Sequence, residues 1–227
     1  AQLVAAQIPF EILCFDDTEN SEHQAKNNAL NQLEKVTYRV NKSALGRSKN
    51  RNALAETSCN NFLLFLDGDA DISNQPNFIS TYLNFANADG VVCGGTAYQQ
   101  NAPTNPAFLL RYLYGKNREE KAADIRQQEP WNGFSAFNFL LPRHIFMELK
   151  FDENLSEYGH EDTLFGNELK YRCIPIRHIE NAATHLGLDS SQEFLEKTKK
   201  GVENLRKLID AGLVDEDVKL YAWYAKT

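Results

Sequence analysis

Asn61-Phe62-Leu63-Leu64-Phe65-Leu66-Asp67-Gly68-Asp69-Ala70-Asp71 is the stretch on which the reading of this chain turns. Five consecutive apolar residues, Phe62 to Leu66, read as a strand buried on both faces rather than an amphipathic one. The run then stops in three carboxylates at alternate positions. Clustered carboxylates repel one another and resist losing water, so a buried strand does not end this way without a reason. A divalent cation would neutralise them, and Asp oxygens are natural ligands for Mg or Mn. In open α/β sheets, ligands bind beyond the carboxyl ends of the strands. A metal and a phosphate-bearing ligand are therefore expected here.

Asp-x-Asp at a strand end is short and admits several meanings. A calcium loop of the EF-hand kind fits Asp67, Asp69 and Asp71, but then needs Gly where Ile72 stands and Glu where Phe78 stands. A phosphatase of the haloacid dehalogenase type would continue into Gly-Thr or similar, whereas this chain has Ala70-Asp71. The Asp-x-Asp motif of nucleotide-sugar glycosyltransferases is a third reading. A plain solvated strand end is a fourth.

The flanking sequence decides between them. Upstream, Pro9-Phe10-Glu11-Ile12-Leu13-Cys14-Phe15-Asp16-Asp17 is a second apolar run ending in acids. Gly46-Arg47-Ser48-Lys49-Asn50-Arg51-Asn52-Ala53 opens a helix, and Tyr158-Gly159-His160-Glu161-Asp162-Thr163-Leu164 leads into another. In this order the set resembles family 2 glycosyltransferases, whose GT-A fold carries a "VDDxS"-like strand end, a "GxxxARNxG"-like helix start, a "FLDxD" strand end and a later "ED". The match runs from about Phe10 to about Leu186. His185-Leu186-Gly187-Leu188 is similar to the His segment near the end of that catalytic domain. Family members open with a strand of the type "VSIIIPxYN"; here residues 1–7 read as the end of the following helix, so that strand is expected to precede Ala1.

The resemblance implies roles. Asp69 and His185 would hold Mn or Mg, with His160 and His178 as rivals to His185, and Asp67 would face the ribose or the metal through water. Asp71, one pleat on, is a supporting or structural candidate. Asp17 would accept from the nucleotide base, the alternative being a helix N-cap. Arg47 or Arg51 would reach the base or a phosphate. Asp162 would be the general base for an inverting transfer, with Glu161 holding the acceptor or positioning Asp162; ordinary first-turn acids are the alternative. Trp131 would stack on the acceptor sugar. The activity implied is transfer of a hexose or N-acetylhexosamine from a nucleotide donor, UDP foremost, to a glycan or lipid-linked acceptor in surface polysaccharide synthesis. Two rivals stay open: a phosphohydrolase or nucleotidyltransferase using Asp67 and Asp69, and a degenerate carbohydrate-binding or scaffolding relative.

Composition sets the bounds. The 227 residues suffice for one α/β domain with a real core, and 42% hydrophobic with 24% charged residues is ordinary for a globular chain. A net charge of −7 argues against a nucleic-acid partner, which needs clustered Lys and Arg. No apolar run approaches the roughly 20 residues of a membrane span, so membrane contact is expected to be peripheral at most. The four Cys are widely spaced with no Cys-x-x-Cys; three sit in apolar runs and read as buried thiols. A reducing cytoplasm is the expected location, with contact at the inner face of a membrane.

The pattern predicts helix, strand and helix in turn. Strands are expected at 11–15, 36–40, 62–66 and 91–98, the last broken by Gly94-Gly95; helices at 21–35, 47–58 and 75–88. This order argues for a mainly parallel sheet flanked by helices. The chain divides into a nucleotide-sugar half (1–98), an acceptor and catalytic half (99–190) and a helical tail (191–227). Helices are expected at 106–116, 119–126 and 191–211. The aromatic stretch 220–224 is a candidate membrane or partner contact.

Overall fold

The structure is a computed structural model that describes residues 1–155 and 159–214. Its elements are α1 (Gln2–Ala5), β1 (Ile12–Asp16), α2 (Ser21–Asn27), β2 (Val36–Val40), α3 (Arg47–Thr57), β3 (Phe62–Leu66), β4 (Ala70–Asp71), α4 (Phe78–Phe85), β5 (Val91–Cys93) and β6 (Thr96–Ala97). They continue through α5 (Leu109–Tyr114), α6 (Ala123–Gln127), β7 (Asn138–Pro142), α7 (Arg143–Leu149), α8 (Glu161–Tyr171), β8 (Ile176–His178), β9 (Ala183–His185) and α9 (Ser191–Asp210).

Three sheets result. β1 and β2 pair in parallel. β3, β7, β5 and β8 form a four-stranded sheet in that order. β3, β5 and β8 run in one direction, as the expected parallel order requires, and β7 enters antiparallel between β3 and β5. β4, β9 and β6 make a small third sheet.

Strand alternation sorts the core into two layers. Leu63 and Phe65 of β3 and Phe139 and Leu141 of β7 point to one face, against Phe146 of α7 and Phe165 and Leu169 of α8. The rings are packed closely, with Phe65 and Phe139 stacked at 4.9 Å and Phe151 and Phe165 at 4.5 Å. Leu64 and Leu140 point the other way, onto Phe78, Ile79 and Tyr82 of α4. Helices thus cover both faces of the sheet, which is why its strands read as continuous apolar runs. Leu205 and Leu208 pin α9 over Leu164 of α8.

Several boundaries depart from expectation. β3 reads from sequence as buried on both faces, but among the described strands it pairs with β7 alone, and Phe62 and Leu66 keep over a third of their surface exposed. The helix expected over 21–35 ends at Asn27 and continues as a 3₁₀ turn over Asn28–Gln32. The helix expected at 119–126 begins at Ala123, because Gly115–Glu119 close a π turn and Glu120 turns back to accept from the Tyr98 backbone N–H at 2.6 Å. Three of the four thiols are expected to be buried, but only Cys93 is; Cys14 is half-buried, and Cys59 and Cys173 are exposed. The stretch 220–224 lies outside the described residues.

Candidate active site

A cleft of about 640 Å³ opens beyond the carboxyl ends of β3 and β5. Its walls come from α3, the turn after β3, α5 and the segment following it, the loop before β7, the start of α8, the segment after β9, and α9. Arg47, Arg51, Asp67, Asp69, Glu161, Asp162 and His185 all line it, although they span more than a hundred residues of sequence.

Local folding explains the convergence. β3 ends in a tight turn in which the Ala70 N–H donates to the Asp67 carbonyl at 3.0 Å. That turn throws Asp69 against β9, where Ala70 stands opposite His185 in the antiparallel register. His185 Nε2 then lies 3.3 Å from Asp69 Oδ2. This hydrogen bond is the main reason the Asp69 carboxyl is held below the usual carboxylate range; partial burial opposes it. His185 Nδ1 is buried with no partner among the described residues. Gly187 completes the pocket: a Cβ there would collide with the Asp69 carboxylate.

Asp67 belongs to a different network. Arg51 donates through Nη2 to Asp67 Oδ1 at 2.7 Å, and its Nη1 lies 3.4 Å from Glu161 Oε1. Arg47, one turn earlier on α3, reaches the same Glu161 oxygen at 3.5 Å. Arg51 and Glu161 are both 8% exposed. Buried ions persist only when paired, and this pairing fixes α3, the β3 turn and the start of α8 relative to one another. Among the described residues, Asp162, the next residue, has no such counter-ion at contact. Burial first, then the neighbouring Glu161 charge, pushes its carboxyl up to about 6, with Arg51 and Arg47 opposing. Its Oδ1 accepts from the Thr163 N–H at 2.8 Å.

The loop carrying these acids is clamped. His160 adopts a left-handed conformation, φ 71°, immediately before α8. Its Nε2 meets the Gly201 carbonyl of α9 at 2.9 Å, which puts the ring proton on Nε2 and leaves Nδ1 to accept from the Thr163 hydroxyl at 3.3 Å. Asn204 of α9 donates to the Gly159 carbonyl at 2.9 Å. Asn52 of α3 holds the Phe151 backbone from both sides, each bond 2.9 Å, and donates to Glu153. Asn52, Asn204 and Gly187 were not singled out from sequence. Asn52 lies within the quoted "ARN"-like element, whereas Asn204 and Gly187 act through contacts that sequence spacing does not display.

Two expected residues stand elsewhere. Asp17 is not on the cleft wall: its carboxylate accepts from the Leu45 and Gly46 N–H groups at 3.1 and 2.9 Å and from Asn41 at 2.6 Å, tying down the loop that enters α3. The N-cap of α2 is Asn20, not Asp17. Trp131 packs against the main core and its Nε1–H donates to the Ile174 carbonyl at 3.0 Å, so the indole is committed to packing; the cleft is lined by the next two residues, Asn132 and Gly133. Of the rival histidines, His178 accepts from buried Arg126 and His160 serves the clamp. Asp71 accepts from the Ser73 N–H at the surface.

A twisted sheet covered by helices, with acids and a His gathered beyond its strand ends, is the GT-A class of glycosyltransferase fold. The sequence pattern described as Glycosyl transferase family 2 matches residues 2–150, and the chain belongs to that family. Solved structures agree on the fold. The mannosyltransferase PcManGT from Pyrobaculum calidifontis, in complex with GDP-Man and Mn2+, is 12% identical, with a TM-score of 0.60 over 93% of this chain and 58% of its own. S. aureus TarS 1-349 is 17% identical, with a TM-score of 0.54 over 87% and 57%. GalNAc-T7 with UDP, GalNAc and Mn2+ is 15% identical, with a TM-score of 0.51 over 82% and 40%. The chain thus spans roughly half the length of these proteins. No curated protein sequence matches it.

Among the described residues no group of three or more His, Cys, Asp or Glu could by itself hold a metal. The Asp69 and His185 pair offers one oxygen and one nitrogen donor, a set that suits Mn, with room for ligands from a diphosphate.

Proposed function

We propose that the chain is an inverting, metal-dependent glycosyltransferase that moves a hexose or N-acetylhexosamine from a nucleotide sugar, UDP-linked foremost, to a glycan or lipid-linked acceptor. The observation that carries this reading is one cleft holding both an Asp–His pair fit for Mn or Mg and, on the facing helix start, a carboxylate whose affinity for protons is raised. Residues 1–98 are read as the donor half and 99–190 as the acceptor and catalytic half. The start of α9 joins the acceptor wall.

Asp69 and His185 would hold the cation, which when bound would offset the charge gathering on the departing diphosphate. Asp67, kept in position by Arg51, is aimed at the ribose. Arg47 reaches the donor phosphates or base beside its contact with Glu161. Asp17 acts through the loop it anchors, with a base contact as the further role tested by the same titration. Asp162 takes the proton of the acceptor hydroxyl, the freed oxygen bonds the anomeric carbon, and the bond from that carbon to the diphosphate oxygen breaks with its electron pair leaving on the nucleotide. Glu161, held by two arginines, keeps the Asp162 backbone still.

Surface polysaccharide synthesis in a reducing cytoplasm, at the inner face of a membrane, is the setting we infer, in keeping with the free thiols. Among the described residues no helix is long and apolar enough to cross a membrane.

Thermal unfolding with a panel of nucleotides and nucleotide sugars, with and without Mn, tests the reading. A ligand at about 100 times its dissociation constant stabilises by roughly 2.7 kcal/mol. A Mn-dependent shift with UDP or one UDP-sugar is the expected result. A shift with no nucleotide at all sinks the reading in favour of a binding module.

A further inference from the structure

A histidine that binds a metal is ordinarily oriented by a hydrogen bond from its other ring nitrogen to a carboxylate or a carbonyl. His185 Nε2 faces Asp69 Oδ2 at 3.3 Å, and Nδ1 is buried with no partner among the described residues. The terminal torsion of a His side chain is soft, so the backbone alone does not fix the ring. Two aromatic rings do. Phe137, just before β7, crosses the imidazole at 64° with the ring centres 5.3 Å apart. Tyr98 meets it at 57° and 5.6 Å.

Strand register puts Tyr98 there. β6 runs parallel to β9 with Ala97 opposite Thr184, so the next residues on the two strands, Tyr98 and His185, lie side by side. Tyr98 is buried and is itself fixed from several directions. Its hydroxyl donates to Glu119 Oε2, which also accepts from Arg111 Nη2 at 3.0 Å. Its backbone N–H donates to Glu120 at 2.6 Å. The Arg111 guanidinium carbon lies 5.5 Å from its ring, and the Tyr112 ring crosses it at 84°. Gly115 supplies the seat: a Cβ there would run into the Tyr98 ring, although its φ of −59° would suit any residue. Gly115–Glu119 is the π turn that follows α5. One turn thus supplies both the glycine against the ring and the acceptor for its hydroxyl. The transfer chemistry uses none of these residues.

We propose that Tyr98 is a positioning residue for the cation: its ring, seated on Gly115 and tied to Glu119, works with the Phe137 ring to hold the His185 imidazole toward Asp69, in place of a hydrogen bond at Nδ1. The inference rests on the reading of Asp69 and His185 as the ligands of the cation. In this role Tyr98 acts through His185 alone. Removing such a support ordinarily lowers metal affinity by about 10–100-fold.

Titration of the full chain, loaded with UDP, with Mn and readout by electron paramagnetic resonance tests it. The free Mn signal reports affinity. Coupling of the bound Mn to a ligand nitrogen, seen in pulsed spectra, reports whether the imidazole is in place. That coupling is expected in the wild type, and His185→Gln is expected to abolish it. Tyr98→Ala is expected to weaken Mn binding by about tenfold or more and to shrink the coupling, while UDP affinity in EDTA is unchanged. Tyr98→Phe keeps the ring and is expected to restore both. Gly115→Ala crowds the ring and is expected to act like Tyr98→Ala. Mn affinity and nitrogen coupling at the wild-type level in a folded Tyr98→Ala overturn the proposal. An equal loss of UDP affinity in EDTA overturns it too, since that marks general damage to the cleft. Tyr98→Phe as weak as Tyr98→Ala overturns the role given to the ring. If Tyr98→Ala does not fold, Gly115→Ala decides, and a wild-type coupling there overturns the proposal. Absence of Mn binding by the UDP-loaded wild type, or a coupling that survives in His185→Gln, strikes the metal pair itself and the proposal with it. A coupling that depends on His185 but not on Tyr98 strikes the proposal alone.

Discussion

Two buried polar clusters meet at the cleft and differ in how completely they are satisfied. Beneath it, Asn138 donates to the Gly95 and Asn181 carbonyls at 3.0 and 2.9 Å and accepts from the Tyr82 hydroxyl at 2.6 Å. Beside it, Arg126 donates to the carbonyls of Cys93, Gly94, Ile179 and Lys121 and to His178. Among the residues that line the cleft, by contrast, His185 Nδ1 and Arg111 Nη1 are buried with no partner among the described residues, and Asp162 carries a carboxyl driven upward by burial. A network that spends every donor internally has nothing left for a ligand and serves to fix the scaffold. One that leaves donors and a perturbed acid facing a cavity is poised to bind. The Asn138–Arg126 cluster is therefore scaffold, and the Asp69–His185–Asp162 set is site.

The contrast breaks first at Asp162. If it is the base, Asp162→Asn lowers transfer by about 10²–10⁴-fold. Nucleotide affinity, measured by titration with UDP and Mn, stays within about twofold of wild type, well under 1 kcal/mol. Lost nucleotide binding would move Asp162 out of the base role. Asn138→Ala is the opposite case. It takes away the nearer of the Tyr82 hydroxyl's two acceptors, leaving the Asn138 backbone carbonyl at 3.2 Å, and removes the donor from two carbonyls, so chemical denaturation is expected to show a loss of about 2–3 kcal/mol, with the surviving folded fraction binding nucleotide normally. A variant of normal stability but defective binding would make Asn138 part of the site.

Gly187→Ala sharpens the comparison within the site itself. Its Cβ would displace the Asp69 carboxylate from His185, with space elsewhere undisturbed. Mn-dependent UDP affinity is expected to fall by about tenfold, roughly 1.4 kcal/mol, while affinity measured with EDTA is unaltered. Equal losses with and without metal would mean that Asp69 serves the nucleotide directly.

How much of this was legible in the sequence follows from the kind of contact involved. The Phe62 to Leu66 run and its acids could be read because strand burial and strand ends are local. So could the start of α3 at Arg47. The antiparallel entry of β7 could not, since Asn138–Pro142 is as apolar as any parallel strand and direction is set by connections far apart in the chain. Asp17 and Trp131 show the same limit from the other side. Both are residue types that fit a ligand role, and both are engaged by backbone groups: Leu45 and Gly46 for one, Ile174 for the other. Those partners lie 28 to 43 residues away, and no spacing within one motif reveals them.

The smallest effect tests the same acid through stability alone. A carboxyl raised from its ordinary value of 3.8 to about 6 in the folded state binds its proton more tightly there than in the unfolded chain. The stability contributed by the protonated form is therefore fully present below pH 3.8 and is lost as pH rises through 6. Asp162→Asn removes the cost of burying that charge. The variant is expected to melt above wild type near pH 7.5, with the gap closing as pH falls below about 5, where wild-type Asp162 is protonated in the folded chain. The Asp69 carboxyl, held low, acts in the opposite sense, stabilising above its unfolded pKa and losing that contribution as pH falls through its folded one. Comparing the two variants at each pH rather than each against a single curve separates the effects, because Asp69 is common to both. A gap that does not change with pH would mean that the Asp162 charge is solvated in the folded chain, and the structural reason for calling it the base would be gone.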